Sequence, residues 1–274
     1  MSIKLVLSDI DGTILDDSQQ IDSSLKRQLE KMKQQKIPFV LASARSPEAM
    51  LPIAKELGIL DNPVACYNGA YVVKNLDQEN VEVITSHTIP PTETKKIFNI
   101  LEESFPSVSI NLYSKMKWYI ETADQWNQQE SAITKLEPIK KDLQIFIEDH
   151  PVHKFLLIDQ AKTIHQLMEH LEKSGLKDCS FVLSKDNYLE VTNKKASKKI
   201  VLKELTQHYG IDSSETMTIG DNFNDVPMLV RSGFGVAMNN APDGVKKVAD
   251  WITTDNNHHG VSHALSENIL NKLA

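Results

Sequence analysis

The amino-acid sequence predicts an α/β protein with a parallel sheet and a separate, inserted α+β domain. Both ends of the chain alternate short buried strands with helices, an order that requires parallel strands and crossover helices. The middle of the chain instead shows shorter, alternating strands typical of an antiparallel sheet with one covered face. We therefore expect one domain formed by residues 1–87 and 185–274 and a second formed by residues 88–184.

The first part of the chain contains three short apolar runs that predict buried strands, because each is too short for a helix. These runs are Ile3–Leu7, Ile37–Ala42 and Val64–Tyr67. A helix capped by Asp22 or Ser23 is predicted between the first two runs. A second helix opens at Ser46-Pro47, with proline in the first turn, and ends at Gly58.

Polar residues follow two of these strands at the edge where ligands of parallel sheets bind. Asp9 and Asp11 come after the first strand, and Ser43 comes after the second. Side chains two residues apart on a strand point the same way. At about 4 Å and an effective dielectric near 20, two like charges repel by about 4 kcal/mol. Such a pair needs a cation, a shared proton or chemistry, unless it is merely an acidic turn.

A second acidic pair weakens the acidic-turn alternative. Thr216–Gly220 is a predicted strand, and Asp221 and Asp225 follow it directly. If this strand neighbours the first one, these two acids converge with Asp9 and Asp11. Four acids in one cleft require a hard cation, and carboxylates combined with a phosphate suit Mg²⁺.

A run of lysines precedes a helix predicted over Ile200–Tyr209. A cation in the first helical turn is unfavourable by about 0.3–1 kcal/mol, because the helix dipole is positive there. For Lys194, Lys195 and Lys199 a solvated surface is the preferred interpretation. For one lysine of the run, an anionic ligand or the acid cluster is a better explanation.

The composition is that of an ordinary enzyme. The chain has 274 residues, of which 41% are hydrophobic, and a formal net charge of −7, which argues against a nucleic-acid binder. Cys66 and Cys179 are far apart, so buried reduced thiols are expected rather than a disulfide. The sequence shows neither a signal-peptide pattern nor an apolar stretch near the ~20 residues of a membrane span. These features predict a cytoplasmic protein without a membrane partner.

Four segments then occur in a characteristic order: Asp9-Ile10-Asp11-Gly12-Thr13, Leu41-Ala42-Ser43-Ala44-Arg45, Lys198, and Gly220-Asp221-Asn222-Phe223-Asn224-Asp225. This ordered set resembles the four motifs of the haloacid dehalogenase superfamily. Tyr67–Ala70 and Gly235–Ala241 resemble its Cof-type branch of sugar-phosphate phosphatases. The resemblance implies a Rossmann-like parallel-sheet core with helices on both faces and a cap inserted between the second and third motifs.

The resemblance also implies a role for each acid. Asp9 is expected to attack phosphorus and form an aspartyl-phosphate. Asp11 is expected to protonate the leaving alkoxide and then to accept a proton from water. Asp9, the backbone carbonyl of Asp11 and Asp221 are expected to bind Mg²⁺, with Asp225 supporting them.

The remaining motif residues are implied to bind phosphate. The resemblance assigns the phosphoryl oxygens to the amides of Ile10 and Ala44 and to the side chains of Ser43, Lys198 and Asn224. The implied substrate is a small phosphorylated metabolite, such as a sugar phosphate, and the protein is expected to be a monomer or a homodimer.

Some positions depart from the family pattern. Ser43-Ala44 stands where Thr-Gly is usual, and Lys199 and Asn239 replace glycines. His258-His259 stands where acidic residues are common, and a surface loop is expected there rather than a metal site. Two other functions stay open: a phosphomannomutase-like phosphotransferase, and a non-catalytic regulator that binds phosphorylated metabolites.

Overall fold

A computed structural model describes residues 2–270 of the chain. These residues form two compact units. The first unit contains the residues up to Ala44, Met50–Thr85, and the residues from Ser197 onward. The second unit contains Ser86–Ala196 and the short segment Arg45–Ala49.

The elements are named in chain order. The strands are β1 (Leu5–Ser8), β2 (Phe39–Ala42), β3 (Val64–Cys66), β4 (Tyr71–Lys74), β5 (Glu82–Ser86), β6 (Ser109–Ser114), β7 (Lys117–Ile120), β8 (Ile139–Lys140), β9 (Lys154–Ile158), β10 (Cys179–Lys185), β11 (Tyr188–Asn193), β12 (Thr216–Gly220), β13 (Phe234–Ala237) and β14 (Trp251–Ile252). The α-helices are α1 (Ser23–Gln34), α2 (Pro47–Leu57), α3 (Pro91–Ser104), α4 (Gln125–Thr134), α5 (Leu143–Asp149), α6 (Ala161–Lys173), α7 (Lys198–Tyr209), α8 (Val226–Leu229), α9 (Asp243–Lys246) and α10 (Gly260–Asn268). Short 3₁₀ turns are formed by Tyr67–Gly69, Ser213–Glu215 and Asn256–His258.

The first unit is built on an eight-stranded sheet with the order β14-β13-β12-β1-β2-β3-β4-β5. The strands from β14 to β3 are parallel, and β4 pairs antiparallel with β3. Strand β1 lies between β12 and β2. The predicted parallel-sheet core is therefore confirmed, and the two strands that carry the acidic motifs are neighbours.

Strand β1 is buried on both faces. Successive side chains of a strand point to opposite faces, and Leu5, Val6 and Leu7 are all fully buried. Leu5 and Leu7 pack in a core that includes Val201 of α7 and Met228 of α8. Covering of both faces is typical of parallel sheets, so only the strand ends remain accessible to a ligand.

Helix α7 begins two residues earlier than the predicted Ile200. Ser197 is its N-cap, with a side chain that accepts a hydrogen bond from the backbone N–H of Ile200. The cap therefore places Lys198 at the first helical position.

The second unit has a six-stranded sheet with the order β10-β11-β9-β6-β7-β8. Its pairs are antiparallel except for the parallel pair β7–β8. One face of the sheet is covered by helices, with Phe98 of α3, Phe146 of α5 and Leu167 of α6 in a common core. This matches the α+β character that the alternating strands predicted.

The end of the second unit differs from the expected position. The predicted boundary after residue 184 falls inside β10, and β11 pairs with both β10 and β9. The unit therefore continues to Ala196. The pattern of β11 predicts a strand but contains no information about which of two sheets that strand joins.

Two expectations from the composition can be compared with the described residues. Cys66 and Cys179 are both free thiols, the first buried and the second half-buried. Within residues 2–270, every helix is too short or too polar to cross a membrane.

Candidate active site

Asp9 marks the point where the chain leaves β1. Its backbone N–H donates to the carbonyl of Ile219 in β12 at 2.9 Å, so the sheet pairing extends to this residue. The chain then turns tightly, because the carbonyl of Ile10 accepts the N–H groups of Thr13, Ile14 and Leu15. The Asp9 side chain is held in a buried position, with 9% of its surface exposed.

Lys198 bridges two carboxylates in the interior. Its Nζ lies 2.6 Å from Asp9 Oδ1 and 2.5 Å from Asp225 Oδ1, and the lysine side chain is 1% exposed. The second oxygen of Asp225 accepts the backbone N–H groups of Asp221 and Asn222, each at 3.0 Å. Asp225 therefore fixes both the ammonium group and the loop after β12.

Asp221 completes a group of three acids. One of its oxygens accepts the hydroxyl of Thr13 at 2.7 Å. Asp9, Asp221 and Asp225 each place a carboxylate oxygen within 4.8 Å of the other two. The predicted convergence of the strand-end acids is thus realised for these three residues.

The three acids contain more negative charge than their surroundings neutralise. Burial raises the pKa of Asp9 to about 7, with Lys198 opposing this shift and Asp225 adding to it. Burial raises the pKa of Asp221 to about 6, although the Thr13 hydroxyl favours the ionised form. Burial alone would lower the pKa of Lys198, but the carboxylates of Asp9 and Asp225 outweigh burial and raise it.

The donor set fits a hard divalent cation. One ammonium group faces three carboxylates, which leaves two negative charges when all three acids are ionised. Both oxygens of Asp225 are already engaged, so the donors that remain are Asp9 and Asp221. Small divalent cations such as Mg²⁺ bind through one or two carboxylates with oxygens only.

Asp11 occupies a different environment from Asp9. It is exposed, and its carboxylate is not part of the group of three acids. The regular alternation of a strand does not extend to Asp11, because the extended strand ends at Ser8 and the chain turns at Ile10. Asp11 Oδ2 instead lies 3.5 Å from the hydroxyl of Ser43.

The predicted phosphate-binding residues belong to the same unit as this cluster. Beyond β2, Ser43 is buried and Ala44 is half-buried. Ser43 is fixed on both sides, since its N–H donates to Ala65 and its carbonyl accepts the N–H of Asn68. The N–H of Ile10 hydrogen-bonds the Asp9 carboxylate. Asn224 is exposed on the loop that carries Asp221.

Two contributors were missed by the sequence reasoning. Thr13 lay inside a motif but had no assigned role, and its hydroxyl binds Asp221. Asn240 donates from Nδ2 to the carbonyl of Gly12 at 2.8 Å, across 228 residues of chain. A local pattern does not predict a contact of this separation.

The two adjacent histidines lie on the surface, as expected. His258 contacts Asp255 and His259 contacts Asp22, and both histidine side chains are largely exposed. Among residues 2–270, the acids Asp9, Asp221 and Asp225 form the one group with metal-ligand spacing.

A parallel sheet with a buried aspartate and further acids at its strand ends, and a lysine in the first turn of an adjoining helix, is typical of hydrolases of the phosphoryl-transfer class. The chain belongs to the haloacid dehalogenase-like hydrolases, because the model of that family matches residues 6–265. The resemblance stated above, including the Cof-type branch, is confirmed, and the relatives make the chain a phosphatase.

Three relatives illustrate the match. A Haemophilus influenzae protein whose name assigns it provisionally to the phosphatases is 32% identical over 97% of this chain and 98% of its own length. A Bacillus subtilis 5-amino-6-(5-phospho-D-ribitylamino)uracil phosphatase is 26% identical over 98% of this chain and 97% of its own. The crystal structure of a haloacid dehalogenase-like hydrolase from Bacteroides thetaiotaomicron superimposes with a TM-score of 0.86 at 27% identity, covering 97% of this chain and 99% of that one.

Proposed function

We propose that this phosphatase is a Mg²⁺-dependent phosphomonoester hydrolase that acts on small phosphorylated metabolites, sugar phosphates in particular, through an aspartyl-phosphate at Asp9. The observation that carries the proposal is the single buried ammonium group of Lys198 among the carboxylates of Asp9, Asp221 and Asp225. Surplus negative charge is useful where a cation and a phosphate bind together, since phosphoryl transfer depends on positioning and charge neutralisation.

In the first step the Asp9 carboxylate attacks phosphorus. A bond forms between the Asp9 oxygen and phosphorus, and the bond from phosphorus to the substrate oxygen breaks. Asp11 gives its proton to the departing alkoxide, which leaves as an alcohol. The contrast between a buried Asp9 and an exposed Asp11 supports this division, because the acid must reach the leaving group and exchange protons with water.

In the second step water hydrolyses the aspartyl-phosphate. Asp11, now ionised, takes a proton from the water that attacks phosphorus. The bond between phosphorus and the Asp9 oxygen breaks, and the free carboxylate and inorganic phosphate are released. The two aspartates are thereby returned to their initial protonation states.

The neighbouring polar groups hold the phosphoryl oxygens during both steps. These groups are the amides of Ile10 and Ala44, the hydroxyl of Ser43, the ammonium of Lys198 and the amide side chain of Asn224. Lys198 has a second effect, because its contact with Asp9 favours the ionised nucleophile over the protonated one.

Asp9, Asp221 and the backbone carbonyl of Asp11 would hold Mg²⁺, and Asp225 would keep Lys198 and the loop of Asp221 in place. The bound cation supplies charge neutralisation that allows an anionic nucleophile to approach an anionic phosphate. The raised pKa values of Asp9 and Asp221 support this assignment, since they indicate carboxylates without sufficient positive charge nearby.

The substrate class rests on the family and on a relative. The Bacillus subtilis relative is named for a substrate with a phosphorylated ribityl group. A phosphate ester on a small polyhydroxylated carbon chain is therefore the substrate type that we propose for this chain.

The test is phosphate release from a panel of phosphorylated metabolites, with Mg²⁺ or with a chelator. We expect release that requires Mg²⁺ and that is abolished by Asp9→Asn and by Asp11→Asn, with p-nitrophenyl phosphate as the common reference substrate. A mutase would release little phosphate from a sugar phosphate, and a regulator would bind the metabolite without turnover. Unchanged activity in either variant would exclude the mechanism.

A further inference from the structure

Two asparagine side chains hold the loop that follows β1. Asn240, in the loop after β13, donates from Nδ2 to the carbonyl of Gly12 at 2.8 Å. Asn256, after β14, donates from Nδ2 to the carbonyl of Leu15 at 3.1 Å. We refer to Asn240 and Asn256 as the asparagine clamp.

The clamp binds two backbone carbonyls of this loop from a distant part of the chain. The Ile10 carbonyl accepts three N–H groups from within the loop itself. The carbonyls of Gly12 and Leu15 instead accept from side chains that lie 228 and 241 residues further along the chain. The conformation of the loop after Asp9 therefore depends on loops at the far end of the sheet.

Asn240 uses both ends of its side-chain amide. Its Nδ2 donates to Gly12, and its Oδ1 accepts the backbone N–H of Asn256 at 3.1 Å. An aspartate has the same shape but has only acceptors. A carboxylate oxygen at this position would face the Gly12 carbonyl oxygen and repel it.

Gly12 lies directly against the acid cluster. It has a φ of +77°, and a Cβ atom at this position would be 2.5 Å from Asp221 Oδ2. The next residue, Thr13, donates its hydroxyl to Asp221 Oδ1 at 2.7 Å. Rotation of the Gly12 peptide would therefore disturb both the Thr13 hydroxyl and the Asp221 carboxylate.

We propose that Asn240 is a positioning residue for the phosphatase reaction. By holding the Gly12 carbonyl it fixes the turn that positions both the Asp11 carboxyl group and the Thr13 hydroxyl, which binds Asp221. Asn240 acts through these residues and not on the substrate. The inference rests on the proposed function, since it assigns Asp11 and Asp221 their roles in phosphate-ester hydrolysis.

The test compares Asn240→Asp with Asn239→Asp. Both residues are exposed, adjacent and equally altered in charge. The hydrogen bond that the structure gives Asn239 is made by its backbone N–H, to Thr254. The control thus adds the same negative charge near the acids but leaves the bond to Gly12 intact.

We expect Asn240→Asp to lower kcat for p-nitrophenyl phosphate about tenfold, the rate equivalent of one lost hydrogen bond, with KM changed by less than about twofold. Asn239→Asp keeps both constants within about twofold of the unaltered protein. Asn240→Ala, which removes the donor without adding charge, gives the same loss of kcat and decides the question if the aspartate variant does not fold. Equal kcat values for the position-240 and position-239 variants would overturn the proposal.

A second readout does not depend on turnover. Hydrogen–deuterium exchange of the amides in the Ile10–Leu15 segment is expected to be faster in Asn240→Asp than in Asn239→Asp, because the turn has lost its anchor. Unchanged exchange in that segment would overturn the positioning role. An unaltered protein that hydrolyses no phosphate ester would instead overturn the proposed function, while the exchange data would still test the clamp.

Discussion

The two units of the protein bury charge in different ways. In the second unit Lys154 and Glu190 form an ion pair at 2.8 Å, with 7% and 10% of their side chains exposed. Glu130 is also buried there, and Lys154 and Lys185 oppose the rise that burial causes in its pKa. In the described part of the first unit, Lys198 pairs with Asp9 and Asp225, and Asp221 adds a third carboxylate to the same group.

This difference distinguishes a buried ion pair that stabilises the fold from a buried group of acids that can bind a ligand. Removal of two charges from water costs free energy that is recovered only if each charge has a good partner. The pair of Lys154 and Glu190 satisfies this requirement within the second unit. The acids around Lys198 satisfy it less completely, since burial raises the pKa values of both Asp9 and Asp221. The raised pKa values of these two carboxylates support the proposal that a bound cation supplies further positive charge.

The largest difference in activity and in stability is expected between the variants Asp9→Asn and Glu190→Gln. Loss of the nucleophile should reduce phosphate release by about 10⁴-fold or more, as for covalent nucleophiles in other enzymes. The same change should leave the free energy of unfolding unchanged or higher in a chelator, because it removes a surplus buried charge. Glu190→Gln should retain activity but lose about 3 kcal/mol of stability, because Lys154 stays buried without its partner. Steady-state kinetics and urea unfolding measure the two effects.

As a control, each variant is measured in both assays, so that the stability of Asp9→Asn and the activity of Glu190→Gln are also known. If Asp9→Asn were as destabilising as Glu190→Gln, the first unit would be a structural ion cluster like the second. The comparison between the units would then be wrong.

The next largest difference is expected in how Mg²⁺ affects the stability of variants at the two buried lysines, Lys198 and Lys154. Lys198→Met and Lys154→Met should each cost about 3–5 kcal/mol of stability, because each leaves a buried carboxylate unpaired. Added Mg²⁺ should restore part of the loss in Lys198→Met, since the cation can replace the missing charge between the aspartates. It should not do so in Lys154→Met. The measurement is the melting temperature of each variant without Mg²⁺, at about 1 mM Mg²⁺ and at about ten times that concentration.

Equal rescue of both lysine variants by Mg²⁺ would count against a cation site in the first unit. The lysine at position 154 therefore serves as the matched control for size, charge and burial.

The smallest expected effect is the dependence of stability on pH. The folded protein keeps a proton on Asp9 up to about pH 7 and on Asp221 up to about pH 6, whereas the ordinary pKa of either group is 3.8. Between these values the folded state binds more protons than the unfolded state, so stability falls as pH rises. In a chelator, the melting temperature of the unaltered protein should therefore fall by at least about 2 °C relative to Asp9→Asn between pH 5 and pH 8. A difference that is constant across this range would show that Asp9 is not an unmatched buried acid.

Much of the site could be predicted because its parts are local in sequence. A buried strand followed by a carboxylate occurs at Asp9 and again at Asp221, and parallel-sheet geometry brings the two strand ends together. Lys198 was distinguished from its neighbouring lysines by its motif position, and Ser197 as N-cap explains how it enters the first helical turn.

The parts that could not be predicted depend on contacts distant in the chain. Nothing local in Asn240 indicates a bond to Gly12, and nothing local in Tyr188–Asn193 indicates that this strand joins the second sheet. The exposure of Asp11 next to the buried Asp9 also escaped prediction, because the strand pattern contains no signal for the turn at Ile10.

The most direct test of the central claim is calorimetric titration of Mg²⁺ into the chelator-treated, dialysed protein and into Asp221→Asn. The unmatched charge of Asp9 and Asp221 predicts one binding site in the unaltered protein and an affinity at least about tenfold lower in the variant, the effect of losing one carboxylate ligand. The variant Glu190→Gln, altered in the matched pair of the second unit, should bind like the unaltered protein. Equal affinity in Asp221→Asn and the unaltered protein, or no binding in either, would contradict the account.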